Sequence, residues 1–177
     1  SPRFALLKAG YEGEDSRLRE LTATLNTQRY EDIASNVTHK YEQPVRINNV
    51  RIFDPKSLSL TDPVSVVMTG DTITAIEDVR SAPGADEVFI EGEGGTLVAG
   101  LYDMHGHVGD NQAIMNVMAG VTGIRDMGNE DDVLSDLIDK IDRGVLIGPT
   151  ITKSGFIEGV SEFSAATGEL ADSKEKA

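Results

Sequence analysis

The chain has 177 residues, enough for one full-sized domain or a small domain with part of another. Its 16 Lys and Arg against 30 Asp and Glu give a net charge of −14, which excludes the clustered-cation grip on a phosphate backbone and disfavours an anionic lipid surface. Cys is absent, which excludes disulfides, thiolate metal sites and cysteine nucleophiles, so any metal must be held by His and carboxylate. No apolar run approaches the roughly 20 residues of a membrane-spanning helix. No nucleic-acid or membrane partner is therefore expected. Trp is also absent, so the core is expected to be aliphatic. The sequence begins Ser1-Pro2-Arg3 with no initiator Met, which reads as a trimmed start and allows a periplasmic, secreted or cytoplasmic setting.

Residues 1–43 read as an N-terminal arm with a short helix. Leu18, Leu21 and Leu25 fall at helical spacing after Glu14-Asp15-Ser16. Residues 44–99 read as a portion of a small β-sandwich. Val45–Phe53 is β-rich, Asp54-Pro55 breaks it, and Val64–Met68 and Thr72–Ile76 flank a Gly70-Asp71 turn as a hairpin. Val88-Phe89-Ile90 and Thr96-Leu97-Val98 add two short strands among Gly92, Gly94 and Gly95.

From residue 100 to 177 the rhythm becomes β-α-β-α-β, the pattern of a parallel sheet with crossover helices. Strands are expected over 101–108, 121–127 and 150–157, and helices over 112–119 and 129–143. Asn129 is a candidate N-cap for the second helix. Val133, Leu134, Leu137, Ile138 and Ile141 form its apolar stripe, and Gly144 stops it. The tail from Gly168 reads as the beginning of another helix, with Asp172 or Ser173 as its N-cap, and not as a natural terminus.

The chemistry concentrates in Asp103-Met104-His105-Gly106-His107. Strand alternation puts Asp103, His105 and His107 on one face, and Tyr102, Met104, Gly106 and Val108 on the other, against the helices. A row of polar groups on a buried face is costly unless it is satisfied. Two imidazoles at i and i+2 can share one divalent ion, and Asp103 could orient a ligand. Two of the chain's 3 histidines sit in this triplet, which weighs against two incidental surface residues.

Thr96-Leu97-Val98-Ala99-Gly100-Leu101-Tyr102-Asp103-Met104-His105-Gly106-His107 resembles the start of the catalytic barrel in the amidohydrolase superfamily, with Ala99 and Tyr102 where the family commonly has Pro and Ile. The strands from Ile47 to Asp54 and from Gly70 to Ile76 resemble its flanking β-sandwich. Ala119–Gly128 and Gly148–Gly155 resemble the second and third barrel strands of the imidazolonepropionase-like and Xaa-Pro dipeptidase-like branch. The resemblance implies an α/β fold: a small β-sandwich followed by the first βα units of a TIM (β/α)8 barrel, truncated in this chain. It also implies a metal-activated water that attacks an amide or related carbon–nitrogen bond. His105 and His107 carry over as ligands of one or two divalent ions, zinc above all. The general base and remaining ligands are expected on later strands, so no catalytic residue is assigned here. Asp126, at the end of the second strand, is a pocket candidate, whereas Lys153 on the third is not given a ligand role.

The roughly 80 residues from Gly100 supply about three βα units, whereas a full barrel takes about 250 residues. The chain is therefore expected to work with the remainder of the barrel, as a C-terminal segment or a second chain. A homo-oligomer and a small amide or peptide substrate are expected with it. The competing reading is a noncatalytic β-sandwich and α/β module that serves as a subunit or scaffold.

Overall fold

The computed structural model describes residues 7–165 and 168–176. A single 3-10 turn, Glu12–Glu14, leads into helix α1 (Asp15–Val37). Six strands follow: β1 (Val45–Asp54), β2 (Ser59–Leu60), β3 (Val64–Thr69), β4 (Thr72–Asp78), β5 (Val88–Glu91) and β6 (Thr96–Leu97). Then come β7 (Leu101–Gly106), α2 (Asp110–Met118), β8 (Val121–Asp126), α3 (Asp131–Asp142), β9 (Thr150–Lys153), β10 (Ile157–Gly159) and β11 (Glu169–Ala171). The chain divides into two compact units. One is His39–Ala99, and the other joins the segment before it to the segment from Gly100 onward.

In the His39–Ala99 unit, β1 is the hub of one six-stranded sheet. It pairs antiparallel with β2 and β3, and parallel with β5 and β6. The strands expected as a sandwich portion thus form a single sheet among the described residues. The Gly70-Asp71 hairpin is present, with Thr69 opposite Thr72 and Gly70 at φ +61°. The two parallel pairings were not legible, because β5 and β6 reach β1 through loops with no helical crossover. The register of β1 against β3 shifts between Ile47 and Val50, where Asn49 adopts φ +53°. Asn tolerates that left-handed region better than most residues, so it suits the irregularity. Gly92 is held at the same place by its N–H bond to the Asn48 carbonyl, 2.8 Å. A Cβ there would meet Val50 Cγ1 at 2.2 Å, so the close backbone approach requires glycine.

Arg46 on β1 is only 2% exposed. Its Nε donates to Glu87 at 2.6 Å and its Nη2 to Glu77 at 2.9 Å. Burying a guanidinium is tolerable only with such partners. The Arg46 contact, with a further N–H bond from Gly84, holds the Glu87 carboxyl below its ordinary value.

In the other unit, β7, β8 and β9 form a three-stranded parallel sheet in that order, with α2 and α3 as the intervening helices. The core on its helix-packed side contains Val108, Ala113, Ile124, Leu134, Leu137 and Leu146, with Ile138, Ile141 and Ile151 packed against it. Within the stripe expected on α3, Leu134 and Leu137 are buried while Val133 is exposed. Gly148 lets the chain pass under α3, since a Cβ there would meet Ile141 Cδ1 at 2.4 Å.

Several expectations are corrected. The short helix of the arm is a 23-residue helix. Its leucines Leu18, Leu21 and Leu25 stay exposed, and its buried residues are Tyr30 and Ala34. Tyr30 joins the core, and its hydroxyl donates to Asn111 Oδ1 at 2.9 Å. Helix α3 starts at Asp131 with Glu130 at the N-cap, because the Asn129 side chain is drawn inward to other partners. The third strand ends at Lys153, before Gly155 at φ +68°, and Ile157–Gly159 pairs separately with β11. In the tail, β11 pairs parallel with β10 just before Asp172, and the residues after it form a turn in which Lys176 N–H donates to the Ser173 carbonyl at 3.3 Å, where a helix capped at Asp172 or Ser173 was expected to begin. Ser1-Pro2-Arg3 and Ala177 lie outside the described residues.

Leu137→Ala should destabilise the chain by about 2–5 kcal/mol in equilibrium denaturation, since it leaves a cavity between α3 and the sheet. A pH effect follows from Glu87. A carboxyl whose folded value is lowered adds stability above its ordinary value of 4.5, and that stability is lost as pH falls through the folded value. Arg46→Met should therefore lower the denaturation midpoint at about pH 6 and flatten its decline towards about pH 3, measured by urea titration at each pH.

Candidate metal centre

The C-terminal ends of β7 and β8 carry the residues singled out in the sequence. Between Asp103 and Gly106 the register breaks: Asp103 lies opposite Ile124, and Gly106 lies opposite Asp126. Three steps along β7 thus match two along β8, which is a β-bulge. The bulge overturns the strict alternation expected for this strand. Tyr102 lies on the face of Gly123, where a Cβ would come within 2.5 Å of its ring, and its hydroxyl is 3.4 Å from Thr152 Oγ1. That face is opposite the buried Ile124, so Tyr102 is not packed against the helices. Met104 is exposed as well. Gly106 instead faces Ile124 and the Asp103 carboxylate, with its Cβ position 2.9 Å from Ile124 Cγ2 and 3.2 Å from Asp103 Oδ2. Asp103 is thereby placed on the core side. Its Oδ1 accepts the backbone N–H of His105 at 3.0 Å, so it touches the peptide of a histidine and not a ring.

His105 and His107 flank Gly106, so the pleat sends both to the open face. Their rings lie 5.4 Å apart between centroids at an interplanar angle of 73°. Two imidazoles bound to one tetrahedral ion at about 2.0–2.1 Å hold their ring centres roughly 5 Å apart. The pair therefore has a spacing suited to one ion. His107 Nδ1 is 2.8 Å from the Gly128 carbonyl oxygen. A carbonyl only accepts, so Nδ1 carries a proton, and in the neutral ring Nε2 is the nitrogen with the lone pair. Metal-binding histidines characteristically make such a bond through their other nitrogen. The donor chemistry fits a zinc-like ion. Among the described residues no cluster of three or more His, Cys, Asp or Glu is placed to hold a metal.

Asp126 is fully buried. Its carboxylate accepts N–H bonds from Val108 at 2.8 Å and from Gly128 at 3.1 Å, and lies 3.3 Å from Asn129 Nδ2. The side chain, named in the sequence for a pocket wall, thus points into the turn that follows β8. Lys153 pairs with Asp131 at 2.8 Å and donates to Ser135 Oγ at 2.9 Å, tying the end of β9 to α3. Sequence reasoning missed Gly128 and Asn129 as parts of the site. Gly128 acts through its carbonyl, which any residue possesses. Asn129 carries a helix-cap signature that hid its inward bond to the Val108 carbonyl, 3.0 Å.

No protein-family profile matches the chain, and no curated protein matches it significantly. Solved structures do. A candidate prolidase from Bifidobacterium longum superposes with a TM-score of 0.66 at 23% identity, over 76% of this chain and 35% of that one. A Xaa-Pro dipeptidase with methionine bound in its active site gives 0.59 at 25% identity, over 66% of this chain and 34% of that one. The A. niger ochratoxinase gives 0.56 at 15% identity, over 77% and 43%. The chain spans about a third of the length of the first two. The resemblance first carried by Asp103-Met104-His105-Gly106-His107 is thus matched by the fold, which is that of part of an amidohydrolase-superfamily protein.

Proposed function

We propose that this chain is part of a metal-dependent amidohydrolase that hydrolyses an amide or peptide bond. The observation that carries the reading is the histidine pair, with rings 5.4 Å apart on one strand end and the Nδ1 of His107 already committed to the Gly128 carbonyl. His105 and His107 would hold a divalent ion, with zinc favoured by their imidazole nitrogens. When bound, such an ion supplies Lewis acidity and water activation for attack on a carbonyl carbon.

This chain's own residues build the frame. Asp103 fixes the His105 peptide, Gly106 permits the close approach of β7 to Ile124, and Gly128 orients the His107 ring. Two features support the view that further residues complete the site. A catalytic zinc usually takes three protein ligands and a water, and two histidines are present. The sheet face that carries them also exposes the ring of Tyr102, a surface suited to cover by further strands. We read β7, β8 and β9 with α2 and α3 as the first βα units of a (β/α)8 barrel, the remainder coming from a C-terminal segment or a second chain. The similar solved structures include prolidases, a molinate hydrolase and a phenylurea hydrolase, which supports a small amide or peptide substrate.

The test is metal analysis and an amide-hydrolysis assay on the complete protein. His105→Ala with His107→Ala should lose most of its zinc and reduce kcat/KM by at least about a thousandfold, the scale on which metal-supplied catalysis operates. Full zinc content and full activity in the double variant would refute the reading.

A further inference from the structure

We propose that Asp126 is the positioning residue of His107: its buried carboxylate holds the turn after β8 so that the Gly128 carbonyl fixes the Nδ1–H tautomer and presents Nε2. This deepens the metal-centre reading and takes from it that His107 is a ligand.

The argument starts with the connections. Met127 N–H donates to the Gly106 carbonyl at 3.0 Å, one residue before His107. Val108 N–H donates to Asp126 Oδ2 at 2.8 Å, one residue after it. Gly128 N–H donates to Asp126 Oδ1 at 3.1 Å, and the carbonyl of the same residue receives His107 Nδ1–H at 2.8 Å. Asn129 Nδ2 closes the clasp by donating to the Val108 carbonyl at 3.0 Å. His107 is thus gripped on both sides by bonds from one four-residue turn, and the Asp126 side chain joins the two halves.

The residue type is constrained. Two backbone N–H groups approach the two different oxygens of the carboxylate. An ionised carboxylate accepts at both oxygens, whereas an amide would aim its NH2 at one of those donors. Asp126 enters no ion pair among the described residues, so a fully buried carboxylate is sustained by N–H donors and the Asn129 amide. Such a group is expensive to bury. Its geometric return is a carbonyl held at one position beside a histidine ring. A side chain at Gly128 would be crowded as well, since a Cβ there would lie 3.3 Å from the Phe156 ring and 3.6 Å from His107 Cε1.

The experiment reads the tautomer without metal. Intact, metal-stripped protein carrying 15N-labelled histidine is examined by NMR near pH 8.5, about two units above the ordinary imidazole value, with His107→Gln for assignment. Wild type should show His107 protonated at Nδ1 and bare at Nε2. Asp126→Asn should show a mixture weighted to Nε2–H, and its zinc affinity should fall about ten- to a hundredfold. Leu137→Ala serves as the destabilised control and should leave the tautomer unchanged. If Asp126→Asn does not fold, Asn129→Ala replaces it, with a measurable rise in Nε2–H expected. An unaltered Nδ1–H signal in the folded variant, or Nε2–H in wild type, would overturn the proposal. Absence of zinc binding by wild type with the tautomer effect intact would instead overturn the metal reading and leave the role of Asp126 standing.

Discussion

The register mismatch between β7 and β8 governs what this end of the sheet can do. One extra residue on β7 between Asp103 and Gly106 inverts the pleat relative to the strand's beginning. Tyr102 then lies on the open face with Gly123, while Asp103 and Gly106 turn to the side of Ile124. Without the bulge, the residues before and after it would keep one phase, and the strand could not put Tyr102 and both histidines on the open face. The Asp103 side chain is suited to this irregularity because its carboxylate captures the His105 N–H, which a regular ladder would have used. A Cβ at Gly106 would come 2.9 Å from Ile124 Cγ2, so any other residue there would force a neighbour to shift.

The second constraint is the turn after β8, which is rigid because its polar groups are spent internally. Each of its bonds to the Gly106–Val108 segment contributes on the order of 1 kcal/mol, but a buried carboxylate that lost its donors would cost more than any one of them returns. Beneath the turn, Ile124, Leu134 and Leu137 are almost completely buried, so the β8 end rests on close-packed side chains. Lys153 adds a tie from β9 to the start of α3. The strand ends are therefore fixed from below by packing and from the side by hydrogen bonds. On the metal-centre reading the histidine pair needs both, since a small displacement of either ring alters the bite.

Much of this was legible in the sequence, for identifiable reasons. The β-α-β-α-β order from Gly100 follows from apolar periodicity and glycine punctuation, both local signals. The histidine triplet was readable because rare residues at i and i+2 stand out in a chain with 3 histidines. The bulge was not readable, because it depends on which β8 residue faces Gly106, a property of two strands together. Its effect was to place Asp103 on the core side although its spacing from His105 suggested the same face. Helix α1 shows a different limit. The leucine spacing of Leu18, Leu21 and Leu25 marked a helix correctly but named the wrong face, since Tyr30 and Ala34 make the contact with the core. Asn129 was misread because capping and inward bonding demand the same side chain, and only the position of the Val108 carbonyl decides between them.

The charge balance adds a selectivity problem that the geometry resolves. A chain of net charge −14 attracts divalent cations of every kind, and hard ions such as calcium and magnesium prefer carboxylate oxygens. Two carboxylates accept backbone N–H bonds from the histidine segment. Asp126 has both oxygens committed to backbone N–H groups, and Asp103 has one oxygen on the His105 peptide and turns towards Gly106. Neither faces the open side with the rings. The donors presented there are imidazole nitrogens, which favour zinc and similar ions over the hard cations. On the metal-centre reading, the same hydrogen bonds that shape the turn also keep oxygen donors away from the ion. Architecture and ion preference then have one cause, the consumption of nearby carboxylates by backbone N–H groups.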